Sequence, residues 1–291
     1  MNELRLLATI TSELLARETV PRGPTPSSIL GVEGGIAAKQ YGGEVNGRAA
    51  AGYLFNTELV SQTIAGSTVC ADLGCGTAVQ LLQIAFINPE IQFIGVDGEA
   101  RMLQRAAENA DKLGVKNVSW VVDDIAAPRH LSALGIDAVI ANMTIHDLPD
   151  IAAASKFAES IRRLIPANGA IYLEDFIRLK RSTSMDVFAG LNAPFPRDDF
   201  YRLFRASLAA AYTCEELRVV QGLLPQTMLY ATFPFRFLAV IKTPARGLST
   251  QNRQRIYELH ARLPEERKAD LVNLRRLFSW GGLNQTERAL G

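Results

Sequence analysis

Leu4, Leu7, Ile10 and Leu14 recur at helical spacing, so the chain is expected to open with a helix that ends by Val20 and Pro21. A loop rich in proline, serine and glycine follows to about Gly43. A second helical stretch then carries Ala51, Leu54, Leu59 and Ile64. Residues 1–66 therefore form a helical cover that needs a surface to lie on. From Thr68 short apolar runs alternate with amphipathic stretches, the pattern of parallel strands joined by crossover helices. Strands are predicted at Thr68 to Leu73, Gln92 to Val96, Val118 to Val122, Ala138 to Met143 and Ala170 to Leu173. The helix after the second strand places Met102, Leu103, Ala106, Ala110 and Leu113 on one face and stops at Gly114. The rhythm is lost after Asp175 and returns in two closing strands, Met228 to Thr232 and Phe237 to Ile241. The expected fold is α/β: a seven-stranded, mostly parallel, Rossmann-like sheet with helices on both faces, over residues 67–248, with an insertion at about 177–227. Two further helices, Thr250 to Leu263 and Glu265 to Phe278, make a C-terminal extension over 249–291.

With 48% hydrophobic and 21% charged residues the chain can fill a large core, which excludes disordered and collagenous classes. Thirty-one basic residues against thirty acidic ones leave a net charge of +1, so total charge gives no steering toward nucleic acid or anionic lipid. The longest uncharged runs, Leu73 to Pro89 and Val219 to Phe235, are broken by glycine and proline and fall short of the roughly 20 apolar residues of a bilayer span. Cys70, Cys75 and Cys214 cannot all pair and have no metal-ligand spacing, which predicts a reducing, cytoplasmic setting and no metal.

Ligands of open parallel sheets bind beyond the carboxyl ends of the strands. After the first strand stand Asp72, Leu73, Gly74, Cys75, Gly76, Thr77 and Ala78, where the glycines permit a tight turn and close approach to the main chain. Asp72 suits a ligand that carries an ammonium group. After the second strand stand Asp97 and Gly98, and a carboxylate there can accept from two hydroxyls. After the third come Asp123, Asp124 and Ile125, and after the fourth Asn142, Met143, Thr144, Ile145 and His146.

These four strand ends, in this order, resemble those of the class I S-adenosylmethionine-dependent methyltransferases, with Ala78 in place of the last glycine of the first motif. The resemblance implies that Asp72, Gly74, Cys75 and Gly76 contact the methionine end of S-adenosylmethionine. It further implies that Asp97 and Gly98 hold the ribose, that Asp124 and Ile125 hold the adenine, and that Asn142 and Met143 border the transferred methyl. In small-molecule members the segment after the fourth strand lies beside the acceptor. His146 is therefore the candidate general base, an imidazole titrating near pH 6.5. Packing over the cofactor is its alternative role.

Tyr41 and Tyr53 of the cover and Phe188 and Tyr201 of the aromatic insertion are candidates to bind the acceptor, the insertion serving as a lid. Glu174 and Asp175 either reach the acceptor or are solvated loop acids. Arg178, Arg275 and Arg276 are expected on solvated faces, and His130 and His260 on the surface. Asn142-Met143-Thr144-Ile145 is not the Asn-Pro-Pro-aromatic segment of enzymes that methylate nucleic-acid bases, so no nucleic-acid partner is expected, and no membrane partner. The activity implied is methyl transfer to a small metabolite, with a slight preference for oxygen over nitrogen, carbon or sulfur. An NAD-dependent oxidoreductase and a non-catalytic cofactor-binding partner protein are the alternatives. The leading helix either closes a homodimer or covers its own site.

Overall fold

A computed structural model describes residues 3–29, 31, 49–190 and 199–283. The strands are β1 (Val69–Leu73), β2 (Gln92–Asp97), β3 (Val118–Val122), β4 (Ala138–Asn142), β5 (Ala170–Phe176), β6 (Met228–Ala231) and β7 (Leu238–Lys242). They form one sheet in the order β3-β2-β1-β4-β5-β7-β6. The first five are parallel, while β7 runs antiparallel to both β5 and β6. This is the expected seven-stranded, mostly parallel sheet. Strand order reverses between β1 and β4, which opens a crevice beyond their carboxyl ends.

The pleat sorts side chains to two faces. Cys70, Phe93, Ile140, Tyr172 and Val240 join one apolar cluster with α2 (Ala50–Ile64), α3 (Val79–Ile87), α4 (Ala100–Leu113) and α10 (Glu265–Trp280). Leu73, Val96, Val139, Ile171 and Leu173 join the other, with α5 (Ile151–Leu164) and α8 (Cys214–Gly222). Helix α4 buries Leu103, Ala106 and Ala110 and ends at Gly114, whose φ of 66° is left-handed, as its sequence predicts. Helix α9 (Thr250–Arg262) precedes α10.

Among its described residues the insertion contains three helices, α6 (Ser182–Gly190), α7 (Asp199–Ala210) and α8. The opening helix α1 (Glu3–Leu15) finds its surface on α6. Buried Glu13 accepts hydrogen bonds from the backbone N–H groups of Lys180 and Arg181 and from the Ser184 hydroxyl, the latter at 2.6 Å.

Several solvated expectations are corrected. β5 continues through Phe176, so Glu174 and Asp175 are strand residues, each only 2% exposed. Arg275 is drawn inward to donate to buried Glu58 at 2.6 Å, and half-buried His260 lies 3.7 Å from the same carboxylate. Burial pushes the Glu58 carboxyl up, but hydrogen bonds and charge from His260 and Arg275 outweigh it and hold the group below its usual range. Arg178 is half-buried against Glu216 at 3.4 Å, and Arg276 faces a cavity. His130 is on the surface, as expected.

Candidate active site

A cavity of about 740 Å³ lies beyond the carboxyl ends of β1, β4 and β5, walled by α2, α7, β7 and α10. Its floor is made at the strand ends. Gly74 has φ of +80°, and a Cβ there would stand 2.3 Å from Thr144 Cγ2, so the turn after β1 and the segment after β4 approach as only glycine allows. The N–H groups of Gly74 and Cys75 both donate to Val96 O, at 2.7 and 3.0 Å, folding the turn onto β2. Asp97 accepts from Gly76 N and Glu99 N, both at 2.9 Å, one on each carboxylate oxygen. A carboxylate oxygen can accept twice, so Asp97 keeps capacity for two further donors.

Asp72 is buried on the cavity floor. Asn142 lies beside it on the same sheet face, and both polar atoms of its side chain are buried with no partner. An amide left with an unmet donor and an unmet acceptor is costly in an apolar wall unless a ligand completes it. Met143 follows with φ of 54°, a left-handed conformation uncommon outside glycine, and its N–H donates to Glu174 O at 2.9 Å.

The pleat sends Glu174 and Asp175 to opposite faces. Asp175 meets His146, which is 3% exposed in a short 3-10 turn after β4. Asp175 Oδ1 lies 2.6 Å from His146 Nδ1 and accepts from Phe176 N at 2.7 Å, while Oδ2 accepts from His146 N at 2.9 Å. The carboxylate can only accept, so Nδ1 carries a proton; when the ring is neutral the lone pair is on Nε2, which lies 3.9 Å from Asp147 Oδ2. Arg22, from the loop after α1, holds the same turn. It donates to the carbonyls of His146, Leu148, Pro149 and Ala210 at 2.6–2.8 Å and stacks 4.3 Å above the Tyr212 ring.

On the other face Glu174 accepts from the Asn56 amide, whose oxygen accepts from the Tyr172 hydroxyl at 2.7 Å. Burial pushes the Glu174 carboxyl up to about 8, the Asn56 bond opposes this, and the Asp175 charge adds to it. Tyr53, on the cavity wall, is pushed up to about 12 by burial and by the Glu174 charge.

Among the sequence candidates Asp72, Gly74, Cys75, Asn142, Met143, His146, Tyr53 and Phe188 line the cavity together. Gly76, Asp97, Gly98, Asp124 and Ile125 lie along the ends of β1 to β3, outside its lining. Asp124 is exposed, with one oxygen engaged by Ala126 N at 2.9 Å. Asp123 is consumed by three backbone N–H groups, which outweigh desolvation and hold its carboxyl low, so Asp124 is the acid left for a ligand. A Cβ at Gly98 would meet only Asp123 O at an ordinary 3.8 Å. Tyr201 does not line the cavity, whereas Phe200 and Phe204 on the same helix do. Tyr41 lies outside the described residues.

Sequence reasoning missed Asn56, Arg22 and the α10 wall, which includes Asp270, Asn273 and Trp280. Asn56 carried one available signal, a polar residue flanked by buried apolar positions of α2.

The methyltransferase-domain family matches residues 65–205. A short segment is 32% identical over 53 residues to a tRNA (guanine-N(7)-)-methyltransferase of Rubrobacter xylanophilus, covering 18% of this chain and 24% of that protein. The match thus spans about a quarter of that curated relative. Among solved structures, the plantazolicin methyltransferase BpumL, in complex with a pentazolic desmethylplantazolicin analogue and SAH, superposes with a TM-score of 0.55. The two are 12% identical, over 84% of this chain and 100% of that one. A provisionally named O-methyltransferase of Nostoc punctiforme superposes with a TM-score of 0.52 and is 18% identical, over 81% of this chain and 68% of the other. Identities this low establish a shared fold. With the strand order, the glycine turn and the family match over the core of the sheet, residues 65–205 match a methyltransferase domain and carry the class I methyltransferase fold.

Proposed function

We propose that the chain transfers the methyl group of S-adenosylmethionine to an oxygen of a small molecule, with His146 as general base. One observation carries this reading. The buried His146–Asp175 pair leaves the lone pair on Nε2, and the ring lines the same cavity as Asp72 and the unmet amide of Asn142. The residues present fit the cofactor. Asp72 offers a carboxylate to an ammonium, Asn142 an unmatched donor and acceptor, and Asp97 two free accepting positions for ribose hydroxyls. Asp124 and Ile125 would take the adenine. When bound, S-adenosylmethionine supplies an activated sulfonium methyl group.

The protein's part is positioning, proton removal and exclusion of water. His146 Nε2 accepts the hydroxyl proton of the acceptor, and Asp175 fixes the ring by its Nδ1 proton and by the His146 main chain. Tyr53, the phenylalanines of α6 and α7, and Phe235 and Phe237 just before β7 give the acceptor chamber an apolar wall that disfavours water. The plantazolicin enzyme's complexes with SAH and azole analogues are consistent with a small or peptide-derived acceptor.

A thermal-shift panel of S-adenosylmethionine, S-adenosylhomocysteine and NAD(H) tests the cofactor assignment. The first two should raise Tm, and Asp97→Ala should abolish that response. A response to NAD(H) alone would overturn the reading.

A further inference from the structure

This inference rests on the proposed methyl transfer and concerns what the acceptor carries besides its nucleophile. Of the two acids that end β5, Asp175 is engaged on both oxygens, by three N–H donors in all. Glu174 is not. Its Oε2 accepts from Asn56 Nδ2, and among the described residues no donor reaches Oε1. The Tyr172 hydroxyl turns the Asn56 amide so that its N–H faces Glu174, so the carboxyl is held in place by a buried chain from strand to helix and back. A buried carboxyl held in this position by a single donor is costly to ionise.

Around it the cavity is aromatic. Phe188 stacks on Phe235 at 4.6 Å between ring centroids and contacts Phe237 at 5.6 Å, while Phe176 meets Phe204 at 5.1 Å. All five rings line the cavity. Aromatic faces attract cations through their quadrupoles, and a buried carboxylate among them completes a cation receptor. Charge on the wall excludes the opposite case. Asp72, Asp147, Glu174 and Asp270 line the cavity against Arg276, the one arginine or lysine among its described lining residues.

We propose that Glu174 is a specificity-determining residue that receives a cationic amine of the acceptor, protonated or quaternary, inside the phenylalanine chamber. An ammonium paired with a carboxylate has no lone pair to attack with, so this amine is not the methylated atom. Nucleophile and cation are thus read by neighbouring residues of one strand end, the first through Asp175 and His146 and the second through Glu174. About two strand spacings, roughly 10 Å, separate Glu174 on β5 from Asp72 on β1, so the amine and the cofactor's ammonium have separate carboxylates.

On the face of Glu174 lie Tyr53 and Asn56 of α2, Tyr172 of its own strand and Asn142, its register partner on β4; the Asp175 charge acts from the opposite face, and Arg276 of α10 is on the same cavity wall. Burial keeps the empty site's carboxyl protonated at neutral pH, so entry of a cation should expel that proton.

The test uses the full chain saturated with S-adenosylhomocysteine and titrated calorimetrically with tyramine, its N,N,N-trimethyl derivative and the neutral isostere 4-propylphenol. At pH 7 both cations should bind at least tenfold more tightly than the phenol, with uptake of a proton by the buffer. Glu174→Gln should erase the preference and the proton release. Equal affinities, no response to either cation, or a preference that survives in Glu174→Gln would overturn the proposal. Failure of S-adenosylhomocysteine to bind would instead overturn the methyltransferase reading, and the two failures are read in separate titrations.

Discussion

Replacing Glu174 by glutamine keeps the side-chain shape and the contact with Asn56 while removing a buried charge. Burial raises this carboxyl from 4.5 to about 8 in the native cavity. The native state therefore holds the proton more tightly than the unfolded chain does. The resulting stabilisation is complete below about pH 4.5, shrinks as the unfolded glutamate ionises, and is lost as the pH rises through 8. At about 1.4 kcal/mol per tenfold in proton affinity, the span between these values sets a ceiling of roughly 5 kcal/mol. Relaxation and water entry into the cavity reduce the measurable part to on the order of 2 kcal/mol. Glutamine has no charge to desolvate, so the variant escapes the penalty. Melting curves at pH 5, 7 and 9 should show the two proteins level at pH 5, with Glu174→Gln ahead by about 4 °C at pH 9. His146 and the other titrating groups are present in both proteins, so the difference isolates Glu174. A constant offset at all three pH values, or a variant that falls behind at pH 9, would refute the assignment of the shift to burial.

Asp175→Asn should lower kcat about a hundredfold or more with KM little changed. An amide N–H facing His146 Nδ1 moves the ring proton to Nε2 and removes the base, and single-turnover rates across pH would reveal this as loss of the rise in rate with pH that a general base produces. Should turnover persist at all pH values, His146 only packs. Arg22→Ala removes the guanidinium donor from the carbonyls of His146, Pro149 and Ala210, leaves Leu148 O with the Tyr212 hydroxyl alone, and uncovers the Tyr212 ring, which should cost about 2–4 kcal/mol in urea unfolding. It should also slow turnover, while the thermal response to S-adenosylhomocysteine persists, because the turn between β1 and β2 is untouched. Arg22→Lys should recover part of both losses.

The sheet was legible because its signals are local. A parallel strand buried on both faces must be a short apolar run, and a crossover helix must carry an apolar stripe, so the strands from β1 to β4 stand within a residue or two of their predicted bounds. The turn at Gly74 was legible for the same reason, since left-handed backbone there and the close approach of Thr144 demand glycine. Asp72, Asn142, Met143 and His146 followed from the rule that ligands bind where strands end. Partnership was not legible. Whether Glu174 and Asp175 were solvated depended on the length of β5 and on what covered it. Apolar patterning ends at Leu173, and pairing with β4 at Glu174 and with β7 as far as Leu238 carries the strand on to Phe176. Arg22, Asn56 and the α10 wall reach the site from 100 residues or more along the chain in either direction. No spacing in the sequence records such pairings, because they are set by helix packing over the sheet. What the sequence determined by itself was which residues stand at the sheet's edge. Tertiary structure alone decided which of them are buried, which are already satisfied, and that Glu174 is held by a single donor beside the aromatic rings, since burial and hydrogen-bond supply belong to the neighbours a side chain acquires on folding.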